Sequence, residues 1–377
     1  MKICLIGPTY PYRGGISHYT TLLFHHLRDR HQVKLYSYTR QYPRFLFPGR
    51  TDRDPSRVAL KAECEYLVDP VNPWTWLRVF RRIKEDEPDI LILQWTVPYW
   101  ALTLAGISTL VKAFTTTRVL FVCHNVIPHA GERMGFLDRW LAKLTLGQGD
   151  YFIVHSEKDL KELQSLLPGA DVRKAFLPIY NISNVDPLPG EEAKRRLGLK
   201  SKTILYFGFV RAYKGLEYLL KALPAVLKQV DVHTLVVGEF WVRESHYREL
   251  IQRLNLGQHV TIVNRYVPNE EIGLYFSAAD VVVLPYIEAT QSGVVQIAYG
   301  FAKPVITTNV GGLAEVVRDG ETGLIVPPRN SNALAKAITH YFAQDLGPLF
   351  SANIRALNDR FAWHRLVDLI NDIGTSP

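Results

Sequence analysis

Arg211 and Lys214 leave an apolar run in FGFVRAYKG (207–215), just before a helical pattern begins. Two cations on a loop that follows a strand suit a pyrophosphate, whose negative charge grows as it departs. Solvated surface cations are the plain alternative; the flanking glycines, Gly208 and Gly215, and the strand-end position favour an anion site. A second constellation lies in LPYIEATQSGVVQIAYGFAKPV (284–305). Glu288 there can accept hydrogen bonds from sugar hydroxyls. Ser292, Gly293 and Val294 are expected to open a helix, where unpaired backbone N–H groups can meet phosphate oxygens. Gln296 falls one turn inside, on the side shared with Ser292 and Gly293. As an ordinary buried residue its amide would need partners. Further upstream, GPTYPYRGGIS (7–17) puts Gly14 and Gly15 at a helix opening, where backbone can approach an anion. By itself a glycine pair is more often a turn. His124 closes RVLFVCHN, where a histidine can donate to a hydroxyl or polarise it. Neither GxGxxG nor GxxxxGK[ST] occurs, which argues against a nicotinamide-dependent dehydrogenase and against a P-loop enzyme.

The elements that must position these residues alternate regularly. KICLIG, QVKLYSY, DILILQW, RVLFVCHN and DYFIVHS read as strands, separated by patterns such as ISHYTTLLFHHLRDR and FLDRWLAKLTL that read as helices. After NVDPLPGEEAKRRLG (184–198), rich in Pro, Gly and charge, the rhythm restarts through TILYFGFV, HTLVVGEF, HVTIVNRYV, DVVVLPY and KPVITTNV. Such alternation predicts α/β architecture with parallel sheets covered on both faces. A chain of 377 residues is too long for one sheet domain. Two doubly wound Rossmann-like domains follow, 1–185 and 186–360, with the final helix in 361–377 packing back on the first. Ligands of such sheets bind at the carboxyl ends of the strands. The expected site is a cleft between the two domains.

Charge and composition narrow the partners. The net charge is +8, and residues 1–50 hold eight Lys/Arg against one Asp. RQYPRFLFPGR (40–50) can therefore dock on anionic lipid or hold a phosphorylated substrate, unless its aromatics tuck onto the core. No nucleic-acid motif accompanies the charge, so nucleic acid is not an expected partner. The longest greasy stretch, VPYWALTLAGISTLV (97–111), is shorter than the roughly 20 residues of a membrane span. Three scattered cysteines suit a reduced interior. The expectation is a cytoplasmic protein with peripheral contact to an anionic membrane.

Together the blocks YFGFVRAYKGLEYLLKAL and GGLAEVVRDGETGLIVPPRN, in this order and spacing, resemble the retaining glycosyltransferases of family 4, of GT-B fold. The resemblance covers nearly the whole chain. It implies transfer of a sugar from a UDP-, GDP- or ADP-linked donor to an acceptor hydroxyl with retention, without a metal or other cofactor. It places Gly14 and Gly15 against the donor diphosphate, His124 near the transferred sugar, and Gly208 and Lys214 in the phosphate-binding G-x5-K-G pattern. Tyr266 and Val267 fall where backbone groups recognise the base, and Ser292, Gly293 and Val294 where amides meet phosphate. Two departures stand out. Phe209 occupies the place after Gly208 where relatives often carry arginine, with Arg211 two residues later. The family's paired acids fall at Glu288 and at position 296, which here is glutamine. Glutamine can still bridge two ribose hydroxyls, giving up about 1 kcal/mol of charge assistance. The acceptor implied is a glycan or lipid-linked molecule of cell-surface or glycolipid synthesis. A non-catalytic nucleotide-sugar binder and a nucleotide-sugar epimerase on the same fold are the alternative readings.

Overall fold

The computed structural model describes residues 1–42, 49, 51–96, 98–126, 136–180 and 188–375. The chain divides into two compact units. Unit 1 comprises Met1–Asp54, Ala59–Pro178 and Phe361–Pro377; unit 2 comprises Pro55–Val58 and Ile179–Arg360.

Unit 1 runs β1 (Lys2–Ile6), α1 (Gly15–Arg28), β2 (Gln32–Tyr38), β3 (Glu65–Val68), α2 (Pro73–Asp86), β4 (Ile90–Trp95), α3 (Ala101–Phe114), β5 (Arg118–Cys123), α4 (Phe136–Leu146), β6 (Tyr151–Val154), α5 (Glu157–Leu166) and β7 (Asp171–Lys174). Its seven strands are all parallel, in the order β3-β2-β1-β4-β5-β6-β7. Central strands such as Ile90–Trp95 are buried along their whole length, as expected of a sheet with helices on both faces. The greasy stretch around 97–111 becomes α3, amphipathic enough to bury Leu104, Ile107 and Val111. Among the described residues no helix is long and apolar enough to cross a membrane.

Unit 2 runs α6 (Gly190–Arg196), β8 (Lys202–Phe207), α7 (Leu216–Leu227), β9 (Val232–Val237), α8 (Glu244–Arg253), β10 (Val260–Val263), α9 (Asn269–Ala278), β11 (Val281–Leu284), α10 (Gly293–Gly300), β12 (Val305–Thr308), α11 (Leu313–Val316), β13 (Gly323–Val326), α12 (Ser331–Ala343) and α13 (Gly347–Ala356). Its parallel sheet has the order β10-β9-β8-β11-β12-β13. The short segment Pro55–Val58 also belongs here: Asn269 N donates to Ser56 Oγ at 2.9 Å, and Arg57 N to Glu270 Oε1 at 3.0 Å.

The last helix, α14 (Trp363–Thr375), returns to unit 1 and packs on α1. Trp363 stacks on His26 with centroids 5.2 Å apart and tilts against Tyr19 at 5.4 Å. Arg118 Nη1 donates to the carbonyls of Ile373 and Gly374, supplying partners that a helix C-terminus lacks.

Each sheet reverses its winding once. In unit 1 the reversal falls between β1 and β4, and in unit 2 between β8 and β11. At such a switch point neighbouring strands send their following loops to opposite faces, leaving an opening at the carboxyl ends.

Candidate functional site

The loops after β8 and β11 flank the switch point of unit 2, and they carry Gly208, Arg211, Lys214, Glu288 and Ser292. One backbone bond ties them together: Ile287 N donates to Tyr213 O at 2.7 Å. Gly208 has φ +102°, a conformation side-chain-bearing residues avoid. A Cβ there would lie 3.3 Å from Lys214 Nζ and 3.4 Å from a methyl of Val294. Gly208, Lys214 and Val294 are therefore neighbours, although 86 residues of chain separate the first from the last. The Lys214 ammonium also lies 5.3 Å from the Tyr286 ring centroid, and Tyr286 Oη lies 3.4 Å from Ser292 Oγ.

Lys214 is half-buried, and its pKa is lowered by burial and, secondarily, by Arg211, with Tyr213 opposing. No carboxylate among the described residues forms an ion pair with it. For a partly desolvated cation without a counter-charge among the described residues, an anion is the favoured neighbour. Ser292 is the N-cap residue of α10 but does not cap it with its side chain. The expected helix opening at Ser292–Val294 is thus in place, with N-terminal amides beside Lys214.

Arg211 sits differently. Its guanidinium lies 4.2 Å from the Trp241 ring centroid, Trp241 packs on Phe209 at 4.5 Å, and Phe209 lies 6.0 Å from Tyr266. The aromatic side chain at position 209 thus joins a stack across the ends of β8, β9 and β10. Trp241 was absent from the expected set, although its place shortly after a strand was a usable signal. Val267 is buried, so only its backbone is available for recognition.

Gln296, expected on the side of the helix shared with Ser292 and Gly293, is 1% exposed. α10 buries Val295, Gln296, Ile297, Ala298 and Tyr299 in succession, so the helix is enclosed nearly all round past its first turn. Gln296 Oε1 is a buried acceptor with no partner among the described residues. Glu288 is half-buried in the loop between β11 and α10.

In unit 1, Gly14 has φ +113° and caps α1, and a Cβ built on Gly14 or Gly15 would meet nothing within 4 Å. Internal packing does not require glycine at 15; the space beside it is open. His124 follows β5, and its Nε2 lies 2.6 Å from Oε1 of Gln94, the fully buried residue near the end of β4. With the amide oxygen accepting, His124 carries its proton on Nε2. In that arrangement Nε2 is engaged with Gln94, and Nδ1 is the ring nitrogen left to meet a hydroxyl. His155 donates from Nδ1 to Ala175 O at 2.9 Å and stands 5.7 Å from His124. Burial lowers both pKa values, His124 well below the ordinary range and His155 to about 4, so both rings are neutral at pH 7. Sequence reading missed Gln94 and His155 as partners of His124. Polar residues at or beside the ends of adjacent strands were the available signal.

Arg40 lies within the basic-aromatic segment, but it forms a two-pronged pair with Asp69 at 2.8 and 2.9 Å. Arg44, Phe45, Leu46, Phe47 and Arg50 lie outside the described residues. Among the described residues no group of three or more His, Cys, Asp or Glu is placed to hold a metal ion.

Two family models match in chain order: residues 13–173 match Glycosyltransferase Family 4, and 201–344 match Glycosyl transferases group 1. The chain belongs to glycosyltransferase family 4. Similar proteins include a D-inositol 3-phosphate glycosyltransferase of Corynebacterium urealyticum, 26% identical over 281 residues, covering 68% of this chain and 64% of that one. The match spans less than two thirds of the length of such curated relatives. Among solved structures, HepE of Anabaena in complex with UDP superposes with TM-score 0.75 and 16% identity, covering 99% of each chain. Sucrose-phosphate synthase of Thermosynechococcus elongatus superposes with TM-score 0.72 and 21% identity, covering 99% of this chain and 98% of that one. The family 4 chain thus has the two-unit GT-B fold over its whole length.

Proposed function

We propose that this chain is a retaining glycosyltransferase that takes its sugar from a nucleoside diphosphate donor. One observation carries the reading. Lys214, a partly desolvated cation without an ion-pair partner among the described residues, stands beside Gly208 and the amino end of α10, at the switch point of unit 2. A diphosphate placed there gains the ammonium and helix amides together. The unpartnered Oε1 of Gln296 suits a ribose hydroxyl as donor, and half-buried Glu288 suits the hydroxyls of the sugar. Tyr266 and Val267 bring the end of β10 to the base. That HepE is solved with UDP favours a uridine nucleotide as the first probe.

In the proposed reaction the bond from the anomeric carbon to the diphosphate oxygen breaks as the acceptor oxygen closes on the same face. The acceptor's proton passes to the departing phosphate, so no protein carboxylate need act as base, and because the acceptor oxygen attacks directly none need act as nucleophile. Lys214, assisted by Arg211, stabilises the charge developing on the leaving group, typically the largest contribution such a site supplies. Gly14 and Gly15 belong to the diphosphate side, and neutral His124 accepts from a sugar hydroxyl through Nδ1. The acceptor is a glycan or lipid-linked hydroxyl, no metal is required, and the enzyme works on the cytoplasmic side of a membrane. Nucleotide release should be measured with UDP-, GDP- and ADP-sugars, with and without lipid-linked acceptors. Binding without release, for any donor and acceptor, would favour the non-catalytic reading; an epimerised sugar without acceptor would favour the epimerase.

A further inference from the structure

α2, α3 and α4 lie side by side on one face of the unit 1 sheet. Their inner sides are conventional, with Val79, Phe80 and Ile83 of α2 and Leu104, Ile107 and Val111 of α3 in the core. The outer sides are not. On α4, Leu137 is 62% exposed, Trp140 51% and Leu144 39%. These positions stand at i, i+3 and i+7, so they form one apolar stripe pointing into solvent. Trp74, at the second position of α2, is 78% exposed, and Leu102, at the second position of α3, 56%. Single exposed apolar residues are ordinary, but a helix with an outward stripe beside two more such side chains marks an interface.

Basic side chains outnumber acidic ones around it: Asp138 is the acid of α4, and Glu85 of α2 pairs with Arg82 at 3.7 Å. Arg139 and Lys143 flank the stripe on α4, and Arg78 and Arg81 are exposed on α2. None of the four is in an ion pair among the described residues. By contrast, Lys112 on α3 is held by Asp150 at 2.8 Å. Tryptophan and leucine interleaved with unpaired arginine and lysine match the boundary between lipid headgroups and acyl chains. A second copy of this chain matches poorly, because a two-fold contact would press the same cations against themselves.

We infer that the outer face of α2, α3 and α4 is a docking surface for an anionic lipid bilayer, with the α4 stripe as its insertion edge. This assigns membrane contact to residues other than 40–50. It goes beyond the transferase reading and is tested without donor or acceptor. The full chain is sedimented with vesicles of phosphatidylcholine alone and of phosphatidylcholine mixed with phosphatidylglycerol, at low and high salt. The wild type should partition onto the mixed vesicles and be released by salt. Replacing Arg139 and Lys143 together by Gln should lower partition by about fivefold per cation. Trp140→Glu, at an exposed position, should abolish it while leaving the folded protein intact by circular dichroism. Absence of wild-type binding to the mixed vesicles, or unchanged binding by these variants, would overturn the inference. So would a lipid-free dimer that Trp140→Glu dissociates, which would assign the face to a second copy.

Discussion

Replacing Lys214 by Met separates a binding cation from a structural one. Burial disfavours the charged amine, and no described carboxylate compensates it, so the ammonium is a net cost to the empty protein. Methionine retains much of the length and packing against Tyr286 without the charge. The empty variant should therefore unfold at the same denaturant concentration as wild type or a higher one. The donor side should suffer. A charge-assisted hydrogen bond contributes about 1.5–3 kcal/mol net, so affinity for UDP should fall roughly ten- to a hundredfold. Charge on the diphosphate grows as it leaves, so turnover should fall further, by about 10²–10³. Urea unfolding, calorimetric titration with UDP and nucleotide release from the donor provide the three readings. A variant that is less stable when empty yet binds UDP and turns over normally would refute the reasoning, because Lys214 would then be a packing residue.

Three other outcomes follow from the same geometry. Because the pKa of Lys214 is lowered and its protonated form binds the anion, UDP affinity should be full at low pH and decline as pH rises through that lowered value; Lys214→Arg should flatten the decline, and identical titration profiles would count against the assignment. His155 is neutral when folded, with its pKa lowered to about 4, whereas the unfolded chain protonates near the ordinary value; stability is complete above the unfolded pKa and lost as pH falls through the window. Between about pH 7.5 and pH 5 wild type should lose about 2 kcal/mol more than His155→Gln, measured by urea unfolding of unit 1. Gln296→Glu places a carboxylate in an enclosed site, so the empty protein should lose about 1–3 kcal/mol while the thermal shift produced by UDP grows; an unchanged shift would separate Gln296 from the ribose.

The fold was legible because strand and helix repeats differ and most elements here are long enough to show one. The missed strands have separate causes. Asp171–Lys174 is a four-residue edge strand with three charged residues, and Glu65–Val68 is equally short at the other edge. The first offers no apolar run and the second only Tyr66–Val68, so pairing decides both; Gly323–Val326, apolar but four residues long at the edge of the second sheet, was missed as well. The grouping of the candidate residues was legible for a different reason: strand-end placement is a topological property, so Gly208, Lys214 and Ser292 could be nominated as neighbours without coordinates. What the chain order conceals is the side-chain pairing across the sheet. Gln94 reaches His124 because β4 and β5 are neighbours in register, with Trp95 opposite Cys123. Phe209 reaches Trp241 because β8 and β9 are neighbours in register, with Phe207 opposite Val237. That second pairing changes what the departure at position 209 means. A phenylalanine where relatives often carry arginine looks like a lost cation when read along the chain. In the folded unit it is one layer of a stack that also includes Trp241, and Arg211 lies against the same indole. The charge is displaced by two residues and braced from another strand, so replacing Trp241 should weaken diphosphate binding even though the indole carries no charge.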